Sequence, residues 1–166
     1  MRLMYLLAIS AASQSIHLSS AYFVPDTLTI TAMADAAKRG VAVQIITPGR
    51  HIDSDIVRRA SRALWGPLLE AGVEMYEYQP TMYHSKAMIV DGLWATVGST
   101  NFDPRSFNLN DEANLSYYDA EFARRQIGLF QADLARSRQI TLQEWTERPV
   151  AERMLEHAAS LFRSEL

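Results

Sequence analysis

A chain of 166 residues, 48% hydrophobic and 21% charged, has the size and composition of one globular domain with a single core. Its net charge of −3 gives no electrostatic footprint for nucleic acid, and the lack of cysteine excludes disulfides and thiolate metal sites. No apolar run reaches the length that spans a bilayer.

The first fifteen residues combine a basic start with apolar and small residues, a composition that secretory signals share. Leu3, Leu6, Leu7 and Ile9 fall near helical spacing, and the run continues directly into structured sequence. An amphipathic first helix is the better reading. Ser15 to Tyr22 alternates like a strand, and Asp26 or Thr27 can cap a helix that ends at Gly40. Val41 to Thr47 is nearly all apolar, as a strand buried on both faces should be, and Pro48 and Gly49 break it. Asp53 or Ser54 opens a long helix to Ala71, stopped by Gly72, and Val73 to Tyr78 is another strand.

Tyr83 to Val90 and Leu93 to Val97 read as a hairpin turning at Asp91 and Gly92. Asn101 to Asn110 is irregular, with Pro104 inside it, and Ala113 to Tyr118 is one more strand. A helix follows from Asp119 to Arg138, and a final amphipathic segment starts near Pro149. The alternation predicts an α/β domain with a mixed β-sheet flanked by helices on both faces.

The hairpin carries the chemistry. His84 and Lys86 are two residues apart, so both leave the same face if the run is a strand. Gly98, Ser99 and Asn101 return at the end of the next strand, giving H-x-K-x(4)-D-x(6)-G-S-x-N. Imidazole is nucleophilic near neutral pH, and an ammonium and an amide can stabilise the charge that gathers on a pentavalent phosphorus. A lone strand histidine is ordinarily structural and a lone lysine ordinarily solvated; fixed spacing of six residue types is a far more specific signal. Such a site demands no divalent metal and no cofactor.

This run is identified as the HKD signature of the phospholipase D superfamily. The stretches Tyr22–Asp26, Pro48–Arg50, Glu77–Pro80, Asn101–Ser106 and Asp133–Ser137 extend the likeness over nearly the whole chain, which resembles the C-terminal half of bacterial cardiolipin synthases. The resemblance implies phosphatidyl transfer to the glycerol hydroxyl of phosphatidylglycerol through a phosphohistidine intermediate, without metal. It makes His84 the nucleophile or general acid, Lys86 the phosphate-binding lysine, and Ser99 and Asn101 further phosphate contacts. Glu112 takes the place of the carboxylate that orients the motif histidine. Asp91 matches the motif aspartate and is grouped with the catalytic residues. In the family that residue looks structural, and its reading as a hairpin-turn residue is the better one.

The signature occurs once, whereas such synthases carry it twice around a shared site, and Met1 falls about where a second half should begin. The resemblance therefore implies one catalytic half, completed in cis, in trans or by homodimerisation. It also implies peripheral contact with the cytoplasmic membrane. Two alternatives stand beside it: a homodimeric single-HKD nuclease or phosphodiesterase, and a non-catalytic half that needs a partner chain. The sparse lysines, Lys38 and Lys86, argue against a nucleic-acid backbone as substrate.

Arg50, Arg58, Arg59 and Arg62 can draw anionic head groups or, as the favoured reading has it, form a solvated face balanced by Asp53 and Asp55. Tyr22 and Phe23 border a pocket or belong to the core. Arg105 meets phosphate or pairs with Asp103 or Glu112, and His51 reads as structural. In the last segment Met154, Leu155, Ala158, Leu161 and Phe162 share one helical stripe, expected to be a packing face. The mixed charge of Glu152, Arg153, Glu156 and Arg163 argues against strong membrane binding.

Overall fold

Parallel neighbouring strands need a crossover between them, and the first half of the chain supplies two. In the computed structural model, which describes residues 1–161, α1 (Arg2–Ala11) leads into β1 (Ser15–Ser20), α2 (Thr27–Lys38) and β2 (Ala42–Pro48). There follow α3 (Asp55–Ala63), α4 (Gly66–Glu70) and β3 (Glu74–Tyr78), and then the hairpin of β4 (Lys86–Val90) and β5 (Trp94–Gly98). The rest comprises α5 (Pro104–Asn108), β6 (Asn114–Tyr118), α6 (Ala120–Leu134), β7 (Ser137–Ile140), α7 (Leu142–Thr146) and α8 (Val150–Ser160). The seven strands form one mixed sheet in the order β6-β5-β4-β1-β2-β3-β7. β1, β2 and β3 are mutually parallel and every other pairing is antiparallel.

Both faces are covered, as the alternation predicts. Ile16, Leu18, Val43, Ile45, Met75 and Met88 meet Ile9 of α1, Met33 of α2 and Leu68 of α4 on one side. On the other, Phe130 of α6 packs on Ile46, Tyr78 and Tyr83, and Ala123 packs on Ile89 and Ala95. At about 25 cal/mol per Å² this two-sided burial is the main stabilising term. No helix among the described residues is long and apolar enough to cross a membrane.

The register between β1 and β4 has an identifiable pin. Asp91 turns the hairpin with φ +53° and Gly92 follows at +62°, the left-handed pair that a type I′ turn requires. The Asp91 carboxylate accepts the backbone N–H groups of Ser13 (2.9 Å), Gln14 (2.8 Å) and Ser15 (2.9 Å), and the Ser13 hydroxyl (2.9 Å). It thus ties the turn to the start of β1, where Ile16 pairs with Val90 and Ser20 with Lys86.

Several boundaries differ from expectation for definable reasons. The long helix from Asp53 to Ala71 is two, because Pro67 in the first turn of α4 has no N–H to extend α3. The loop from Asn101 to Asn110 contains α5, capped by Asp103, whose side chain accepts the Ser106 N–H at 2.7 Å. The expected helix to Arg138 stops at Leu134, and Ser137–Ile140 joins the sheet edge beside β3.

Arg58 and Arg62 do not form a solvated face. Glu77 of β3 receives Arg58 at 2.6 Å and Arg62 at 2.8 Å, while Glu156 of α8 receives Arg62 at 2.9 Å and Arg148 at 2.7 Å. Only Arg59 makes the expected surface pair, with Asp55 at 2.5 Å. The expected packing stripe of α8 points away from the protein: Met154, Leu155 and Leu161 are exposed, and Glu156 and Ala159 are buried instead. Phe162 and Arg163 lie outside the described residues.

Two stability predictions follow from these contacts. Burial works to raise the Asp91 carboxyl, but the N–H groups of Ser15, Gln14 and Ser13 outweigh it and hold the pKa below the ordinary value. A lowered folded-state pKa means that the stabilisation is complete above the ordinary aspartate range and is lost as the pH falls through the folded value. Asp91→Ala should cost about 2 kcal/mol in denaturant unfolding near neutral pH, with the gap from the native chain closing in acid. Glu156→Ala leaves Arg148 without a carboxylate and Arg62 with Glu77 alone, and should cost about 3 kcal/mol, against about 0–1 kcal/mol for Arg59→Ala at the surface.

Candidate active site

The candidate residues gather where β1 ends and β4 begins. Tyr83, nearly fully buried, bonds its hydroxyl to that of Ser19 at 2.7 Å and stacks on Tyr78 with ring centroids 4.9 Å apart. This anchor fixes the residue before His84. His84 itself precedes β4 rather than lying on it, so its position owes nothing to strand alternation. Lys86, the first residue of β4, closes the gap: its Nζ lies 3.3 Å from His84 Nδ1, 3.4 Å from Nε2 and 3.2 Å from the His84 carbonyl oxygen.

The end of β5 is drawn alongside by pairing, since Ala87 faces Val97. Gly98 has no room for a side chain there; a Cβ would strike the Ala113 carbonyl and the Asn114 side chain. Ser99 donates its N–H to the Ala113 carbonyl and accepts the Ala113 N–H on its hydroxyl, both at 3.0 Å. Thr100 donates its hydroxyl to Asn114 Oδ1 at 2.9 Å, and the Asn114 amide donates to the Tyr5 hydroxyl at 2.6 Å. Asn101, 8% exposed, accepts the Tyr22 N–H at 3.2 Å. The Ser20 hydroxyl accepts the Phe102 N–H at 3.2 Å, so the strand partner of Lys86 also holds the segment that bears Asn101.

The charges of three carboxylates, Glu112, Asp103 and Asp53, act on the Lys86 ammonium. Burial pushes its pKa below the ordinary lysine value, and those carboxylates resist the shift. Burial likewise works to raise Glu112, but the polar groups of Ser99, Ser106 and Asn110 and the Lys86 charge hold it below the ordinary value. Glu112 accepts the Asn110 amide at 3.3 Å, and the ring of His84 has Lys86 beside it rather than Glu112. Burial raises Asp103, against the N–H groups of Ser106 and Arg105. The Tyr22 hydroxyl is pushed up to about 12 by burial and by its 2.6 Å bond to Asp53.

Asp91 is not part of this constellation. It lies beyond the far end of β4 from Lys86, five residues and roughly 16 Å away at a strand's rise, and its carboxylate is consumed by the α1–β1 turn. That corrects its grouping with the catalytic residues. Phe23 is core, whereas Tyr22, Asn101, Asp103, Arg105 and Ser106 line a cavity of about 350 Å³. Asp53, Asp103 and Asn114 were not recognised as site residues in the sequence. Asp103 carried a signal, an acidic residue just before Pro104 at a helix start; Asn114 carried none. Exposed His51 has no role in the site. Among the described residues no three His, Asp or Glu side chains converge as a metal site requires.

The facing of Glu112 and Lys86 is measurable. With two lysines in the chain, ¹³C-methylation gives resolvable lysine signals. Lys86 should titrate below the ordinary lysine value, and Glu112→Gln should lower it further by removing a supporting carboxylate. A titration unmoved by that substitution would place Glu112 away from the ammonium.

Residues 5–134 match the family described as "Cardiolipin synthase, PLD-like domain". The chain is 40% identical over 158 residues to a cardiolipin synthase of Geobacillus sp. (strain WCH70), covering 95% of this chain and 31% of that protein. It is 42% identical over 156 residues to cardiolipin synthase A of Proteus mirabilis (strain HI4320), covering 93% and 32%. The chain thus spans about a third of the length of these curated relatives. Among solved structures it resembles the phospholipase D family member Nuc from Salmonella typhimurium, with TM-score 0.75, 25% identity, and 84% and 90% of the two chains covered. The phosphatidylserine synthase of Haemophilus influenzae Rd KW20 shares the fold at TM-score 0.77 and 16% identity, covering 99% and 44%. Signature, sheet order and sequence identity agree: the chain belongs to the PLD-like domain family of the cardiolipin synthases.

Proposed function

We propose that this chain supplies one catalytic half of a phosphatidyltransferase that joins two phosphatidylglycerol molecules into cardiolipin and glycerol. The observation that carries the reading is the direct contact of the His84 ring with the Lys86 ammonium at the open end of the sheet, beside buried Asn101. His84 attacks the phosphorus of the donor phosphatidylglycerol, forming a P–N bond as the bond to the departing glycerol oxygen breaks. The leaving alkoxide takes a proton from an acid. A glycerol hydroxyl of the acceptor then gives up its proton and attacks phosphorus, and the P–N bond breaks. Lys86, Asn101 and Ser99 hold the phosphoryl oxygens throughout.

Two features support a half-site. The leaving group needs an acid, and the one imidazole beside Lys86 is committed as nucleophile. The Lys86 ammonium also lies in the field of Glu112, Asp103 and Asp53, and an anionic phosphodiester is held better as further positive charge arrives. A second His–Lys set brings both. The relatives three times its length support a half completed in cis or trans, and Nuc, of which 90% is covered, is a family member of about this chain's size.

The test combines sizing with a phosphatidylglycerol transfer assay. Monomer should turn over little, and the rate per chain should rise with dimerisation or with an added complementary half. His84→Ala should lower that rate by at least about a thousandfold. Full turnover by proven monomer contradicts the half-site, retained activity of His84→Ala contradicts the nucleophile, and turnover of single-stranded DNA alone contradicts the substrate class.

A further inference from the structure

α8 reverses the usual arrangement of an amphipathic helix on a globular domain. One of its carboxylates faces inward: Glu156, 3% exposed, is paired with Arg62 and Arg148. Glu152 is exposed at the mouth of the arginine-walled cavity against α3 and not in the groove on the outer side. Its other buried residue is small, Ala159, set against Val57 and Ala60 of α3. The bulky apolar side chains point out, with Val150 68%, Met154 69% and Leu161 71% exposed. They border an open groove together with Arg153 and His157. No carboxylate lines that groove, which keeps apolar bulk and the guanidinium of Arg153.

We propose that this outer face of α8 lies on an anionic phospholipid surface, with Val150, Met154 and Leu161 entering the interface and Arg153 meeting head-group phosphates. An interfacial helix needs an apolar face flanked by cationic side chains, and burial of Glu156 with Arg62 and Arg148 is what leaves α8 with one. The position of the helix supports the same occupant. Ala159 shares an apolar cluster with Val57, against which Tyr22 packs, and Tyr22 and Val57 line the cavity that holds Asn101 of the signature. The C-terminal end of α8 thus abuts the rim of the site, so a bilayer beneath α8 adjoins the place where a membrane lipid must enter. The proposal rests on the reading of that site as one for membrane phospholipids, but docking is measured without catalysis.

The experiment is flotation of the purified chain with vesicles of phosphatidylglycerol and phosphatidylethanolamine, compared with phosphatidylcholine alone. Met154→Glu with Leu161→Glu, both at exposed positions, should keep the native circular dichroism and lower the partition coefficient on anionic vesicles at least about tenfold. The milder pair Met154→Ser with Leu161→Ser should give a smaller loss in the same direction and serves if the glutamates impair folding. Leu3→Glu with Leu7→Glu, in an apolar groove beside Asp91 at the opposite end of the sheet, should bind as the native chain does. His84→Ala should also bind normally, which separates failure of docking from failure of the catalytic reading. The proposal is overturned if the native chain ignores anionic vesicles or prefers neutral ones. It is equally overturned if the α8 variants bind undiminished, if the Leu3 and Leu7 variant loses as much, or if the α8 substitutions instead dissociate a dimer.

Discussion

One carboxylate sets the geometry on which the site depends. Asp91 accepts three successive backbone N–H groups at the start of β1 and so fixes where β4 ends and in which register it runs against β1. A slip of one residue in that pairing turns every β4 side chain to the opposite face. Lys86 would then leave His84, and Ser20 would no longer stand opposite Lys86 while holding the Phe102 N–H. The aspartate of the signature is thus needed at the end of the strand where no chemistry happens. Its spacing from the histidine and lysine is the length of the strand that connects them.

Charge organises the molecule at two other places, with opposite outcomes. At the site, the charges of Glu112, Asp103 and Asp53 act on the Lys86 ammonium, and Arg105 lines the cavity that holds Asn101. Behind α3, Glu77 and Glu156 absorb three arginines in a buried network. Buried pairs of this kind contribute little net stability over an apolar core but cost much to break, so they act as a positional lock. Here they lock α8 with Glu156 inward, and its outward apolar face is the consequence.

The fold was largely legible because its cues are local. Strand-length apolar runs such as Val41 to Thr47, the cap at Asp26 and the turn at Asp91 and Gly92 each specify their element without distant help. Misreadings arose where tertiary contacts override the pattern. β7 has one buried side chain, Ile140, and no periodicity to betray it. α8 shows an apolar stripe that ordinarily packs, but the partners waiting on α3 are arginines, so the opposite face goes in. Lys86 and His84 were found by spacing, though the strand geometry that made the spacing meaningful does not include His84. Asn114, which joins Thr100 to Tyr5 behind the site, is invisible in sequence because its role depends on two side chains distant along the chain.

As half of a site, the chain is proposed to bring a nucleophile and a phosphate cradle and to take the acid for the leaving group from the other half. A phosphatidyl ester of p-nitrophenol separates these functions, because nitrophenolate departs without being protonated. Monomeric chain should release a single equivalent of nitrophenolate in a burst that needs His84, while leaving phosphatidylglycerol essentially unconverted. Sustained turnover of phosphatidylglycerol by the same monomer, or an undiminished burst from His84→Ala, would contradict the account.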